Sequence, residues 1–126
     1  MMSSSSGSVV REMTLENGQT LVISDCSRKI GADAFVVIMK ATMEIRVEEK
    51  LFESEPVSGF KFNDIKETLG DTVIYEYRLE RNFIMDHEKE AVFDALVAAF
   101  WENMGQYVSK PAFPPRLVLK EYKDRL

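Results

Sequence analysis

The chain has 126 residues, 45% hydrophobic and 29% charged, which is the make-up of one domain large enough to bury its own core. Sixteen basic residues against 21 acidic ones leave a net charge of −5, and no basic run exceeds Arg28-Lys29, so the electrostatic footprint of a nucleic-acid binder is missing. The longest apolar runs, AFVVIM (34–39) and ALVAAFW (95–101), fall far short of the roughly 18 residues of a membrane span, and the single cysteine, Cys26, fits a reducing, cytoplasmic setting.

In chain order, MMSSSSGS (1–8) holds small polar residues that do not offset the entropy of being ordered. A flexible tail is expected there, without the basic start or apolar stretch of a secretory signal, followed by one domain over 9–126. From Val9 to Leu15, and again from Gln19 to Asp25, apolar and polar residues roughly alternate around Glu16-Asn17-Gly18, the pattern of a hairpin. A two-residue Asn17-Gly18 turn would set Met13 opposite Val22 and mix the faces. A three-residue loop with Gly18 in the left-handed conformation sets Met13 opposite Leu21 and keeps the odd-numbered apolar residues together, so that register is predicted.

AFVVIMKATMEIRV (34–47) is apolar at every odd position from Phe35 to Val47, while the even positions turn polar after Val36 and Ile38. This is a strand with one face fully buried and the other buried over its first half. Fully extended it would reach about 46 Å at ~3.3 Å per residue, so it must bend, as strands of curled sheets and partial barrels do. Asp64 to Glu67 has the form of a capping box, and Gly70 is placed to end the short helix it starts. Thr72 to Phe83 reads as a strand with Val73, Tyr75, Tyr77 and Leu79 on one face and Glu76, Arg78 and Glu80 on the other. The pattern falters at Arg81, which predicts a bulge or the end of pairing near 81–82.

A long helix is predicted over 87–108, with Asp86 as N-cap and Glu88 and Glu90 in the first turn, where the dipole favours negative charge. Val92, Phe93, Leu96, Phe100, Met104 and Tyr107 form its apolar stripe, Val97 and Trp101 widen it on one side, and Ala91, Ala95, Ala98 and Ala99 extend it on the other. Such a helix needs cover on more than one face, from a curled sheet or from a second subunit. The three prolines at 111, 114 and 115 are expected to forbid helix until Pro115. Beyond them, Leu117 and Leu119 suit an edge strand or a short final helix.

His87, the only histidine, stands between Asp86 and Glu88. A metalloprotease pair would need a second histidine where Ala91 stands, and His87 with Glu90 is a reversed, solitary version of a di-iron helix pattern. No metal is therefore expected, and His87 reads as an exposed first-turn residue. Cys26 and His87 would make a nucleophile and base if folding joined them, with Arg28 and Lys29 favouring the thiolate. A cysteine just after a strand is more simply a small packed residue, and no enzyme is expected. The glycines form no phosphate loop, and no cofactor is expected. SDCSRKIGAD (24–33) is the most site-like loop: Arg28 and Lys29 could grip an anion beside Asp25 and Ser27, or the segment is an ordinary connection between strands.

Two stretches resemble PilZ domains. DCSRKIG supplies Asp25, Ser27 and Gly31 of that family's Asp-x-Ser-x-x-Gly loop, with one residue too many, and LERNFIMDHEKEAVFDALVAAF resembles its passage from last strand to C-terminal helix. The resemblance implies a small β-barrel with a C-terminal helix and, in many members, cyclic di-GMP binding. The family's upstream Arg-x-x-x-Arg is absent, because Arg11 is followed four positions later by Leu15. The resemblance thus implies shared shape more than shared ligand binding, with protein contacts as the mode of action.

The sequence therefore predicts an α+β domain, a curved antiparallel sheet or partial barrel packed on one long C-terminal helix. A non-catalytic module acting through protein contacts, self-association included, is the expected function, with Ala91, Ala95, Ala98 and Trp101 as contact residues. Small-anion or cyclic-dinucleotide binding at loop 24–33 is the alternative.

Overall fold

The structure, a computed structural model, describes residues 8–53 and 59–126. The tail expected over 1–8 therefore lies outside the described residues, apart from Ser8. Five strands form one antiparallel sheet: β1 (Ser8–Thr14), β2 (Thr20–Asp25), β3 (Arg28–Lys29), β4 (Ala34–Arg46) and β5 (Thr72–Met85). β4 is central; β2 and β3 pair along one of its edges and β5 along the other, which leaves β1, the short β3 and β5 each with a side that no described strand pairs with. The sheet curls into a half-barrel, giving the α+β class with the curved sheet.

The hairpin adopts the three-residue loop. Leu15 donates to the Gln19 carbonyl, Met13 faces Leu21, and Gly18 takes a φ of 85°, where a Cβ would be strained. Along β4 the odd residues from Val37 to Ile45 are buried, and on the other face burial stops after Ile38. β5 carries its bulge at Asn82 and Phe83, which together oppose Val36: pairing runs Val37 to Arg81 and resumes at Phe35 to Ile84. Phe83 takes a φ of 55°, a left-handed conformation that costs a non-glycine residue about 1–2 kcal/mol, and its side chain is 78% exposed.

Helices cover the sheet face that carries the odd β4 residues. α1 (Phe62–Leu69) ends at Gly70 with φ 82°, but it starts at Phe62, and Lys61 precedes it with no side-chain cap. The capping box expected at Asp64 does not form, since Asp64 already lies inside the first turn, its N–H bonded to the Lys61 carbonyl. The long helix is one rod from Asp86 to Ser109: a 3-10 turn (Asp86–Glu88), α2 (Lys89–Phe100), a π turn (Trp101–Gly105) and α3 (Gln106–Ser109). Asp86 does not cap it with its side chain; its backbone N–H bonds to the Asp33 carbonyl, because β5 pairs up to Met85 and delivers residue 86 to that loop.

The chain ends in α4 (Phe113–Asp124), so there is no edge strand at Leu117, and the long helix is not the only C-terminal one. Pro114 and Pro115 do not forbid this helix. They lie in its first turn, where backbone N–H groups have no acceptor within the helix and proline loses nothing. Phe93, Leu96, Phe100, Val108, Phe113 and Val118 close the core over the sheet, and α1 packs against α4. Asn17 ties the hairpin to the helical layer: its Nδ2 donates to the carbonyls of Val108 (2.8 Å) and Lys110 (2.9 Å), satisfying acceptors at the end of the long helix. No helix among the described residues is long and apolar enough to cross a membrane.

Candidate protein-binding groove

Between the outer strand β1 and the long helix runs a groove built from residues of both. Its three adjoining depressions follow the helix axis. The first is lined by Val10, Asp25, Lys89, Glu90, Phe93 and Asp94. The middle one, about 340 Å³, shares Val10, Phe93 and Asp94 with it and adds Arg11, Ile23, Val97, Ala98 and Trp101. The last starts from Trp101 and continues along Gly105, Gln106, Ser109, Lys110 and Pro111 to Glu16. Walls of Val10, Phe93, Val97 and Trp101 are apolar, and Arg11, Glu90 and Asp94 place both signs of charge among them.

Each wall has a local cause. A shift in pairing register between Val9 and Arg11 inserts Val10 as an extra residue, and it joins the helix-facing lining although it remains 53% exposed. On the helix, residues 90, 94, 97 and 101 recur at three- and four-residue spacing and so share one flank. At Trp101 the helix widens into its π turn, and Gly105 is buried against the indole, where a Cβ would collide with the ring. The Phe100 ring meets the indole edge-on at 5.7 Å, so Trp101 is held from two sides while half-exposed to the groove. Turns of π-helix inside α-helices occur frequently at functional sites.

β1 adds backbone to this surface. The Leu15–Gln19 bond sets the phase of the hairpin, so Met13 and Arg11 turn their amides toward β2 while Glu12 and Thr14 turn theirs outward. No described strand pairs with that outer side.

The residues singled out by sequence are placed as follows. Ala98 and Trp101 line the groove. Ala91 and Ala95 are exposed on the far side of the helix: Ala91 is nine residues from buried Phe100, about 180° around the axis at ~100° per residue. The flank of Ala91 and Ala95 thus turns away from the sheet and is uncovered among the described residues. Asp25 and Ser27 serve the backbone. The Asp25 carboxylate accepts from the Ser27 N–H at 2.9 Å, and the Ser27 hydroxyl accepts from the Ile38 N–H at 2.9 Å. Arg28 and Lys29 are successive strand residues, opposite Val36 and Phe35, so their side chains leave on opposite faces of the sheet and do not converge on one anion. Cys26 is half-buried and bonds through its N–H to the Ile38 carbonyl on one side of β4. His87 is exposed and follows Met85, which pairs with Ala34 on the other side. Four residues of β4, roughly 13 Å, separate those two levels, so the structure does not join the thiol to the imidazole. Among the described residues no three His, Cys, Asp or Glu side chains cluster to hold a metal ion.

Sequence reasoning missed Val10 and the groove side of Val97. The available signal was Val9-Val10, two apolar residues in a row where a strand should alternate. Comparison of the chain with protein-family models, with curated proteins and with solved structures found no match. The PilZ resemblance therefore rests on its loop and its strand-to-helix junction alone.

Proposed function

We propose that the protein is a non-catalytic binding module that takes an extended segment of another protein into the β1–α2 groove. The observation that carries this reading is the pairing of an open strand edge with an apolar helix flank along one line. A segment laid beside β1 would bond to the outward amides of Glu12 and Thr14 and drop alternate side chains against Val97 and Trp101. This is recognition by strand addition, in which main-chain bonds supply affinity and the helix-side pockets supply selectivity.

Trp101 is the chain's only tryptophan, so its emission reports occupancy of the groove directly. Peptides selected from a random library against the wild-type protein are expected to shift that emission. Their affinity should fall at least about tenfold for Val97→Glu, which places a charge on the apolar flank. Selected peptides that bind Val97→Glu as tightly as wild type and leave Trp101 emission unchanged would sink the reading.

A further inference from the structure

On the edge of the sheet opposite the groove, β5 has an outer side that no described strand pairs with. The bond from the Val47 N–H to the Asp71 carbonyl fixes its phase. Odd residues from Val73 to Leu79 turn their amides to β4, and even residues from Ile74 to Glu80 turn theirs outward. The Arg81 guanidinium leans on the outward Glu80 carbonyl at 3.5 Å, a long bond on an exposed surface.

Exposed edges are ordinarily blunted with charged side chains such as lysine, with proline, with bulges or with inward-pointing charge, and β5 has its bulge only past its regular part, at Asn82 and Phe83. β5 carries opposite charges in alternation: Glu76, Arg78 and Glu80, all exposed on one face. Arg78 already lies 3.8 Å from Glu80 of its own chain, and its other neighbour, Glu76, makes with it a pair that is complementary to itself in one antiparallel register. With a two-fold axis at Tyr77, Glu76 lies directly opposite Arg78 of the second copy, and the pair occurs twice. An axis at residue 76 sets Glu76 against Glu76; an axis at residue 78 sets Arg78 against Arg78 and Glu76 against Glu80. Slips by an odd number turn apolar residues onto the charged face. The regular part of the strand, from Thr72 to the bulge at Asn82, is itself centred on Tyr77, so this register uses its whole length.

The opposite face fits the same axis. Tyr77 meets Tyr77 of the second copy, and Tyr75 meets its Leu79; all three side chains are only half-buried in one chain. Tyr107, 50% exposed, stands beside this seam, its ring 5.0 Å from Phe113, which in turn stacks edge-on with Tyr75 at 5.3 Å. We infer that the protein dimerises by pairing β5 with β5 of a second copy about an axis at Tyr77, joining two sheets into one with roughly eight new backbone bonds from four residue pairs. This interface lies away from the groove and does not depend on it.

The test is sedimentation at roughly 100 µM, above the Kd of a micromolar dimer. Wild type is expected at twice the 14.4 kDa chain mass. Arg78→Glu and Glu76→Arg are each expected at the monomer mass, because each sets like charges opposite one another, and the double exchange Glu76→Arg/Arg78→Glu is expected to restore the dimer. Circular dichroism checks that each variant is folded. Hydrogen exchange on the wild-type protein gives a second readout that needs no variant: the amides of Glu76 and Arg78 should lose protection on dilution. A monomeric wild type, a dimer indifferent to either single reversal, a folded double exchange that stays monomeric, or protection independent of concentration would each overturn the inference.

Discussion

Tyr75 shows how a residue can sit correctly in its pattern and still carry a cost. Its ring fills the odd face of β5 as the alternation requires, yet its hydroxyl is buried with no hydrogen-bond partner among the described residues. Burial pushes the phenol up from 10.0 to about 12, and the neighbouring Tyr77 and Tyr107 phenols add to the shift. The unfolded chain therefore loses this proton first, and the stability that depends on it is complete below pH 10 and declines as pH rises toward about 12. Tyr75→Phe removes an unsatisfied buried group without changing shape, so it should leave stability at pH 7 equal or higher by up to about 1 kcal/mol. It should also flatten the decline at high pH. Urea midpoints for both proteins between pH 9 and pH 12 check this; a Phe variant much less stable at neutral pH would mean that the hydroxyl has a partner. Asp25 and Ser27 make the complementary point. Sequence marked them as ligand residues because of their polarity, and the fold uses that polarity to hold its own turn.

At the scale of elements, the long strands were legible, whereas helix ends and the short β3, which falls in the segment read as a loop, were not. Period-2 alternation fixed β4 and the even and odd faces of β5, and the hairpin register followed because any slip would expose apolar residues. Helix ends depend on which backbone groups find partners elsewhere. Asp86 is drawn to Asp33 by strand pairing, and Pro114 and Pro115 are admitted to a first turn that Phe113 can start in the core. The π turn at Trp101–Gly105 belongs here as well. Glycine usually weakens a helix by about 1 kcal/mol relative to alanine, but Gly105 makes room for the indole. Gly105→Ala should destabilise by about 1–2 kcal/mol, because the crowding outweighs the gain in helix propensity, and Trp101 emission should change as the ring is displaced. A more stable variant with unaltered emission would show that the ring does not rely on that glycine.

For the whole molecule, the outer sides of β1 and β5, which no described strand pairs with, lie on opposite sides of β4, β1 beside the groove and β5 away from it. The proposed functions are therefore separable. Val97→Glu should leave the sedimentation mass unchanged, and Arg78→Glu should leave the affinity for a monovalent groove peptide unchanged while lowering the retention on a surface densely coated with it, since avidity needs two grooves per particle. Equal loss of both properties in either variant would show that the two surfaces are coupled. The sequence by itself determined the class of fold, the long bent strand, the faces of β4 and β5, an irregularity near residues 81–82 and the presence of the long helix, because those follow from the period at which apolar residues recur along a local stretch. Tertiary structure alone decided which helix flank borders a strand edge, that Val10 lines the groove together with Trp101 and that Arg28 and Lys29 lie in a strand and so diverge. Those facts depend on register and on the rotation of one element against another, quantities that arise only when residues far apart in the chain compete for the same buried volume.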